Sequence, residues 1–347
     1  MKKALIAAML LAGLVCLGAC SGNSPSAEGA NEAQTGEEKA GSEGAQESAE
    51  ADSNEAVQEQ AGEAAEASSG ETRMFETVKG PIEIPANPKK IVSDYYLGEF
   101  LAVGVKPVIA SPYSLDNPFL QGHIDGIEAL NVTSSETALE MIVAAEPDLI
   151  VTLNEADYEN YAQIAPTVVI PYDGARSPED LFYYIADMVG KKAEAEAYMA
   201  EFNDKAMGAK DEVLEAVDGR TISFIEVWPN EIYVLGSHFA RGGNILFDMW
   251  GLKAPAKVQA EMVDGDKQYD VVSLEVLPEY AGDIVFYSVL AGADSAFVDD
   301  SAVWKSLPAV QNGLVKEYEQ IAFMHIDPLS LSGQLDFYID YFRSLKG

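Results

Sequence analysis

Two stretches of this 347-residue chain repeat one pattern, and any fold must accommodate both copies. The first runs Leu139-Glu140-Met141-Ile142-Val143-Ala144-Ala145-Glu146-Pro147-Asp148-Leu149-Ile150-Val151. The second runs Ser273-Leu274-Glu275-Val276-Leu277-Pro278-Glu279-Tyr280-Ala281-Gly282-Asp283-Ile284-Val285. Each reads as Leu-Glu, a short helix, an acidic turn, an Asp and an aliphatic strand. In the first copy Leu139, Ile142 and Val143 recur at helix spacing. Pro147 closes that helix, because the residue before a proline is pushed out of the helical region. A helix leading into a wholly apolar strand points to a mainly parallel sheet covered by helices. Two copies so far apart predict two α/β lobes.

The flanking segments extend the alternation. Strands are expected at Ile91–Tyr95, Pro107–Ala110, Asp148–Thr152 and Thr167–Ile170, with a helix from Leu97 to Val103 ending at Gly104. Ser177 before Pro178 makes an N-cap. Helical spacing then runs through Leu181, Ile185, Met188 and Val189, pauses at Gly190, and resumes from Ala193 to Val217 with a break expected near Gly208. Further strands are expected at Thr221–Trp228, Ile232–Leu235, Asp283–Tyr287 and Gly313–Tyr318, and helices at Asn244–Trp250 and Leu331–Leu345. This divides the chain into a leader (1–19), a linker (20–72), an N-terminal lobe (73–174), a bridging helical segment (175–218) and a C-terminal lobe (219–347).

The start of the chain obeys other rules. Lys2 and Lys3 precede the apolar residues 4–19, too short for a membrane span of about 20 residues, and small residues end the run, as in a secretory signal peptide. Leu17-Gly18-Ala19-Cys20 resembles the lipobox of bacterial lipoproteins, whose Cys takes a lipid while the chain is cut before it. Residues 21–72 hold no Phe, Trp or Tyr, one large aliphatic (Val57), thirteen acids and one base (Lys39). Such a tract cannot bury enough apolar surface to offset its ordering entropy and is predicted to be a disordered tether. The expected product is exported, held to the membrane by lipid on Cys20 alone, and extracytoplasmic, with a spacer suited to a Gram-positive wall.

Charge narrows the partners. The chain carries a formal net charge of -35, and residues 73–347 keep 44 acids against 19 bases. Phosphate backbones and anionic lipid both call for a basic face, so nucleic acid and a charged membrane surface are excluded as partners. Cys16 and Cys20 are the only cysteines, which excludes disulfide staples and cysteine-bound metal in the lobes.

The paired Leu-Glu helix-strand resembles the periplasmic-binding-protein family for iron-siderophores, haem and cobalamin. Other stretches resemble it in order: Glu83-Ile84-Pro85-Ala86-Asn87-Pro88-Lys89-Lys90-Ile91-Val92, Leu101-Ala102-Val103-Gly104-Val105-Lys106-Pro107-Val108, Gly242-Gly243-Asn244 through Lys253, and Asp327-Pro328-Leu329-Ser330. The resemblance covers nearly all of residues 73–347. It implies two Rossmann-like lobes joined by a single long helix with the ligand cleft between them, and delivery of ligand to an ABC importer permease. It also implies that one exposed Glu on each lobe, here Glu140 and Glu275, pairs with the permease, where charge fixes docking register.

Ligands of open α/β sheets bind beyond the carboxyl ends of the strands. Residues at or beyond those ends are Tyr95, Tyr96, Tyr113, Trp228, Phe239, Arg241, Tyr287 and His325, the expected ligand-binding set. Aromatic walls with one Arg suit a nearly neutral ferric hydroxamate, the Arg donating to iron-bound oxygens. A catecholate complex is strongly anionic and wants several cations; Arg176, Lys106 and Lys305 are the others within reach. Haem, cobalamin, and direct zinc or manganese binding through His123, His238 and His325 are the remaining readings, although no paired His spacing supports a metal site. No catalytic motif is present: no Gly-x-Ser-x-Gly, no Walker sequence, no His-Glu-x-x-His. The expectation is a monomeric ferric-siderophore receptor with no resident cofactor and no chemistry of its own.

Overall fold

A computed structural model describes residues 71–131, 134–172 and 176–346. Cys20, the leader and the linker up to residue 70 lie outside them. A short hairpin, β1 (Thr72–Thr77) and β2 (Gly80–Pro85), leads into the first lobe.

That lobe is a five-stranded, wholly parallel sheet in the order β5-β4-β3-β6-β7: β3 (Ile91–Ser93), β4 (Ile109–Ala110), β5 (Glu128–Ala129), β6 (Leu149–Thr152) and β7 (Thr167–Val169). Helix α1 (Leu97–Ala102) follows β3, and α2 (Ser135–Ala145) precedes β6. Ser134 caps α2 by accepting from the Thr137 amide, and Glu146 ends it in a left-handed turn before Pro147. The C-terminal lobe repeats the order as β10-β9-β8-β11-β12, with β8 (Ile222–Trp228), β9 (Glu231–Leu235), β10 (Tyr269–Val272), β11 (Ile284–Val289) and β12 (Val315–Glu317). Here β8, β11 and β12 are parallel, while β9 pairs antiparallel with both β8 and β10.

The duplicated sequence unit has a duplicated structural job. Asp148 accepts the Lys89 and Lys90 amides at 2.6 and 2.9 Å, immediately before β3. Asp283 accepts the Thr221 amide at 2.9 Å and its hydroxyl at 2.8 Å, immediately before β8. In each lobe the Asp that opens the fourth strand of the order clamps the start of the central one.

Between the lobes run α3 (Pro178–Met188) and α4 (Lys192–Val217). At 26 residues α4 is about 39 Å long. Its Ala195 belongs to the N-terminal core, its Phe202, Ala206, Ala209, Val213, Ala216 and Val217 to the C-terminal core, and Met199 packs against both. The break expected at Gly208 does not occur; the helix is continuous there, and the space a Cβ would occupy is open. The helix expected at Asn244–Trp250 is a π-helical turn, Asn244–Met249.

The C-terminal helix α5 (Pro328–Ser344) is a second brace. Its Leu335, Tyr338, Ile339 and Phe342 lie in the C-terminal core, but its Leu329 packs with Leu97, Ala110 and Leu120 of the other lobe. Asp327 caps it, accepting the Ser330 amide at 3.0 Å and the Ser330 hydroxyl at 2.5 Å, and Asn117 donates to Ser330 at 2.7 Å. A Cβ on Gly98 of α1 would sit 2.1 Å from Asp327 Oδ1, so only glycine admits this approach. Tyr198 of α4 ties the two braces, donating to the Pro328 carbonyl at 3.0 Å.

Candidate functional site: an aromatic cleft around Arg241

The N-terminal wall forms at the ends of β3, β4 and β7. Tyr95 and Tyr113 stack with centroids 5.8 Å apart and planes 6° from parallel, and Tyr172 meets Tyr95 edge-on at 6.1 Å. Tyr113 is 37% and Tyr172 68% exposed, so the rings face outward. Burial raises the Tyr95 and Tyr113 hydroxyls, which stay neutral phenols.

The opposite wall starts at Trp228, the last residue of β8. Strand alternation puts Glu226 and Trp228 on one face of the sheet, and pairing puts Tyr233 opposite Glu226 on that same face. The result is a run of rings: Trp228 to Tyr233 at 4.9 Å, Tyr233 to Tyr269 at 5.6 Å, Tyr269 to Phe239 at 5.0 Å. The guanidinium of Arg241 lies 5.1 Å over the Phe239 ring.

Arg241 sits in an unusual loop. Ala240, Arg241 and Gly242 all have positive φ, at 56°, 59° and 66°. Such strain persists only where the surroundings over-determine it. Here the Arg241 amide donates to the Phe323 carbonyl at 2.9 Å, the Arg241 carbonyl accepts from the Tyr338 hydroxyl, and a Cβ on Gly242 would meet the Tyr338 ring at 2.7 Å. The residue is 3% exposed and forms a bidentate pair with Glu226, Nε to Oε1 at 2.8 Å and Nη2 to Oε2 at 2.9 Å. Burial pulls the guanidinium down, and the adjacent Glu226 carboxylate more than offsets it, so the net direction is up. Glu226 is fully buried and also accepts from Tyr318 (2.7 Å), Gln320 (2.6 Å) and the Trp228 indole (3.0 Å).

The walls meet at Tyr113 and His325, whose rings lie 4.8 Å apart. Burial lowers His325 to about 4, so its imidazole is neutral, and its Nε2 is buried with no hydrogen-bond partner among the described residues. Arg241 also acts electrostatically on Tyr113 across the gap.

Six of the eight expected residues therefore gather here: Tyr95, Tyr113, Trp228, Phe239, Arg241 and His325. Two do not. Tyr96 is buried in the N-terminal core with its hydroxyl on the Ile170 carbonyl at 2.5 Å, because neighbours on the chain point opposite ways. Tyr287 pairs with Ile225, not Glu226, and so faces the other side of the sheet, against Trp304 and Asp299. Sequence reasoning missed Tyr172, Tyr233, Tyr269 and Glu226. The signal for Glu226 was present, an acid inside the apolar run Ile222–Val227.

Other cations are engaged elsewhere. Arg176 lies 4.3 Å over Tyr184, Lys106 donates to the Asp125 carbonyl, and Lys305 to the Asp300 carbonyl. The three His are not assembled: His238 lies 3.8 Å from Asp248, and among the described residues no group of three His, Cys, Asp or Glu could hold a metal. Glu140 and Glu275 are both exposed, Glu140 beside an apolar recess that includes Leu139, Val143 and Ala144. No described helix is long and apolar enough to cross a membrane.

Comparison with known proteins adds the following. Residues 92–322 match the family described as periplasmic binding protein. The iron(3+)-hydroxamate-binding protein FhuD of Bacillus subtilis is 35% identical over 279 residues, covering 79% of this chain and 87% of that protein. The iron(3+)-hydroxamate-binding protein YxeB of the same organism is 35% identical over 276 residues, covering 78% and 85%. A crystal structure of the FhuD fold family, the binding-protein component of a ferrichrome ABC transporter from Bacillus subtilis, superposes with a TM-score of 0.71 at 34% identity, covering 77% of this chain and 98% of that one.

Proposed function

The chain belongs to the periplasmic binding protein family, and from that premise we propose that it captures a ferric hydroxamate siderophore in the aromatic cleft and delivers it to an ABC importer permease. The observation that carries the ligand class is the cleft's own chemistry: stacked neutral phenols, an indole, a neutral imidazole and a single Arg whose charge is already paired. Three hydroxamates balance the charge of ferric iron, so their complex asks for rings and a few donors rather than a field of cations. Relatives named for iron(3+)-hydroxamate binding support the same class. In this reading the protein performs no reaction, works as a monomer, and is kept near its permease by lipid on Cys20.

Tryptophan fluorescence tests it. Trp228 faces the cleft, whereas Trp250 and Trp304 are core residues, so the quench should come from one indole. A tris-hydroxamate iron complex is expected to quench at lower concentration than a tris-catecholate complex or haem, and Trp228→Phe should remove most of the signal. Tighter binding of the catecholate or of haem would reassign the ligand. No response to any of the three would remove the transport reading.

A further inference from the structure

The most densely bonded side chain in the cleft is the one the ligand does not need to touch. Glu226 receives five hydrogen bonds from Arg241, Tyr318, Gln320 and Trp228, all at 2.6–3.0 Å, with no exposed surface. A buried carboxylate is expensive unless every lone pair is met, and here all are met by groups that also line or support the cleft. Its two oxygens hold the Nε and Nη2 edge of Arg241, leaving Nη1, which reaches the Phe239 carbonyl only at 3.5 Å. The arginine is thus fixed in orientation while its charge is cancelled inside the wall of the cleft.

We infer that Glu226 is a specificity-determining residue, which sets the cleft's preference for uncharged ferric complexes by neutralising Arg241 without masking its free donors. This rests on the ligand reading above and deepens it. An unpaired Arg in so dry a site would attract an anionic complex strongly, since few waters screen it. Paired, it presents hydrogen-bond donors with little net field, and an anionic ligand would lose its hydration for no charge partner. Among the gathered cleft residues Arg241 is the only cation, so the balance at this pair decides how much positive charge the wall offers a ligand.

The test is a ratio. Affinities are measured by fluorescence at one ionic strength for a neutral tris-hydroxamate iron(III) complex and a trianionic tris-catecholate iron(III) complex. In Glu226→Gln the ratio should move toward the anion by about tenfold or more. In Arg241→Gln, which leaves Glu226 uncompensated, it should move the opposite way, and in the double variant it should return near the starting value. Should Glu226→Gln lose its native melting transition, the Arg241→Gln and double variants carry the comparison. Ratios that stay fixed while absolute affinities fall would reduce Glu226 to structural support and overturn the inference. A starting protein that already prefers the anion would instead overturn the ligand reading.

Discussion

Glu99 lies beneath the cleft, close enough to raise Tyr95 electrostatically, with its carboxyl against Asp327 at the foot of α5. Burial, and then the like charge of Asp327, push Glu99 up to about 8; burial raises Asp327 too. The folded chain therefore keeps a proton that the unfolded chain has shed between the ordinary Glu range and about pH 8. Across that window stability falls as pH rises, and below it the penalty vanishes because both states are protonated. Glu99→Gln is expected to flatten the difference, raising the melting temperature near pH 8 and changing little near pH 4. Parallel melting curves for both proteins would refute it. The same residue scale decides what the sequence could reveal about the site. Trp228, Tyr113 and Arg241 were legible because they stand at strand ends or just past them, where side chains have one open direction. Tyr96 and Tyr287 were not: Tyr96 is chemically identical to its neighbour Tyr95 and differs only in direction, and β11 runs on to Val289, which leaves Tyr287 inside the strand on the opposite face. Glu226 stands out in the sequence as an acid inside a mostly apolar strand, but its partners do not: Arg241, Tyr318 and Gln320 reach it from 15, 92 and 94 residues away, through the loop after β9 and the segment after β12.

At the scale of elements, α4 shows where propensity loses to packing. A mid-helix glycine costs about 0.5–1 kcal/mol relative to alanine, which suggested a break at Gly208. Phe202, Ala206, Ala209 and Val213 bury one continuous stripe on either side of it, and that burial outweighs the local penalty. Because the added methyl would meet nothing, Gly208→Ala should stabilise the protein by about 0.5–1 kcal/mol, read as a higher melting temperature. A loss of stability would mean that the helix needs local flexibility there. The first copy of the helix-strand unit was legible because its two halves obey two different periods in immediate succession; the second copy keeps the strand but shortens the expected helix to a turn and the 3-10 helix Leu277–Glu279 around Pro278. The strand β10 was not, because its partner β9 lies more than 30 residues upstream and nothing local marks the pairing.

At the scale of the molecule, an acidic body bearing exposed Glu140 and Glu275 on separate lobes suits charge-steered docking to a basic permease surface. Glu140→Ala combined with Glu275→Ala should abolish siderophore uptake by cells while leaving fluorescence-measured affinity intact, and Cys20→Ala should lower uptake by releasing competent protein to the medium. Reduced affinity in the double variant would move those acids into the binding site instead. The two-lobe plan was legible in the sequence; the second brace was not, since the apolar spacing of α5 does not say that Leu329 belongs to one lobe and Phe342 to the other. That brace has a mechanical consequence. A body joined at two places resists wide opening, so in the proposed transport role occupancy is signalled by small rotations. A turn of a few degrees at one end of a rod about 39 Å long still moves the other end by a couple of ångströms, enough to make or break a hydrogen bond. On the proposed transport reading the protein works as a stiff lever, and the permease needs only a sensitive gauge at its far end.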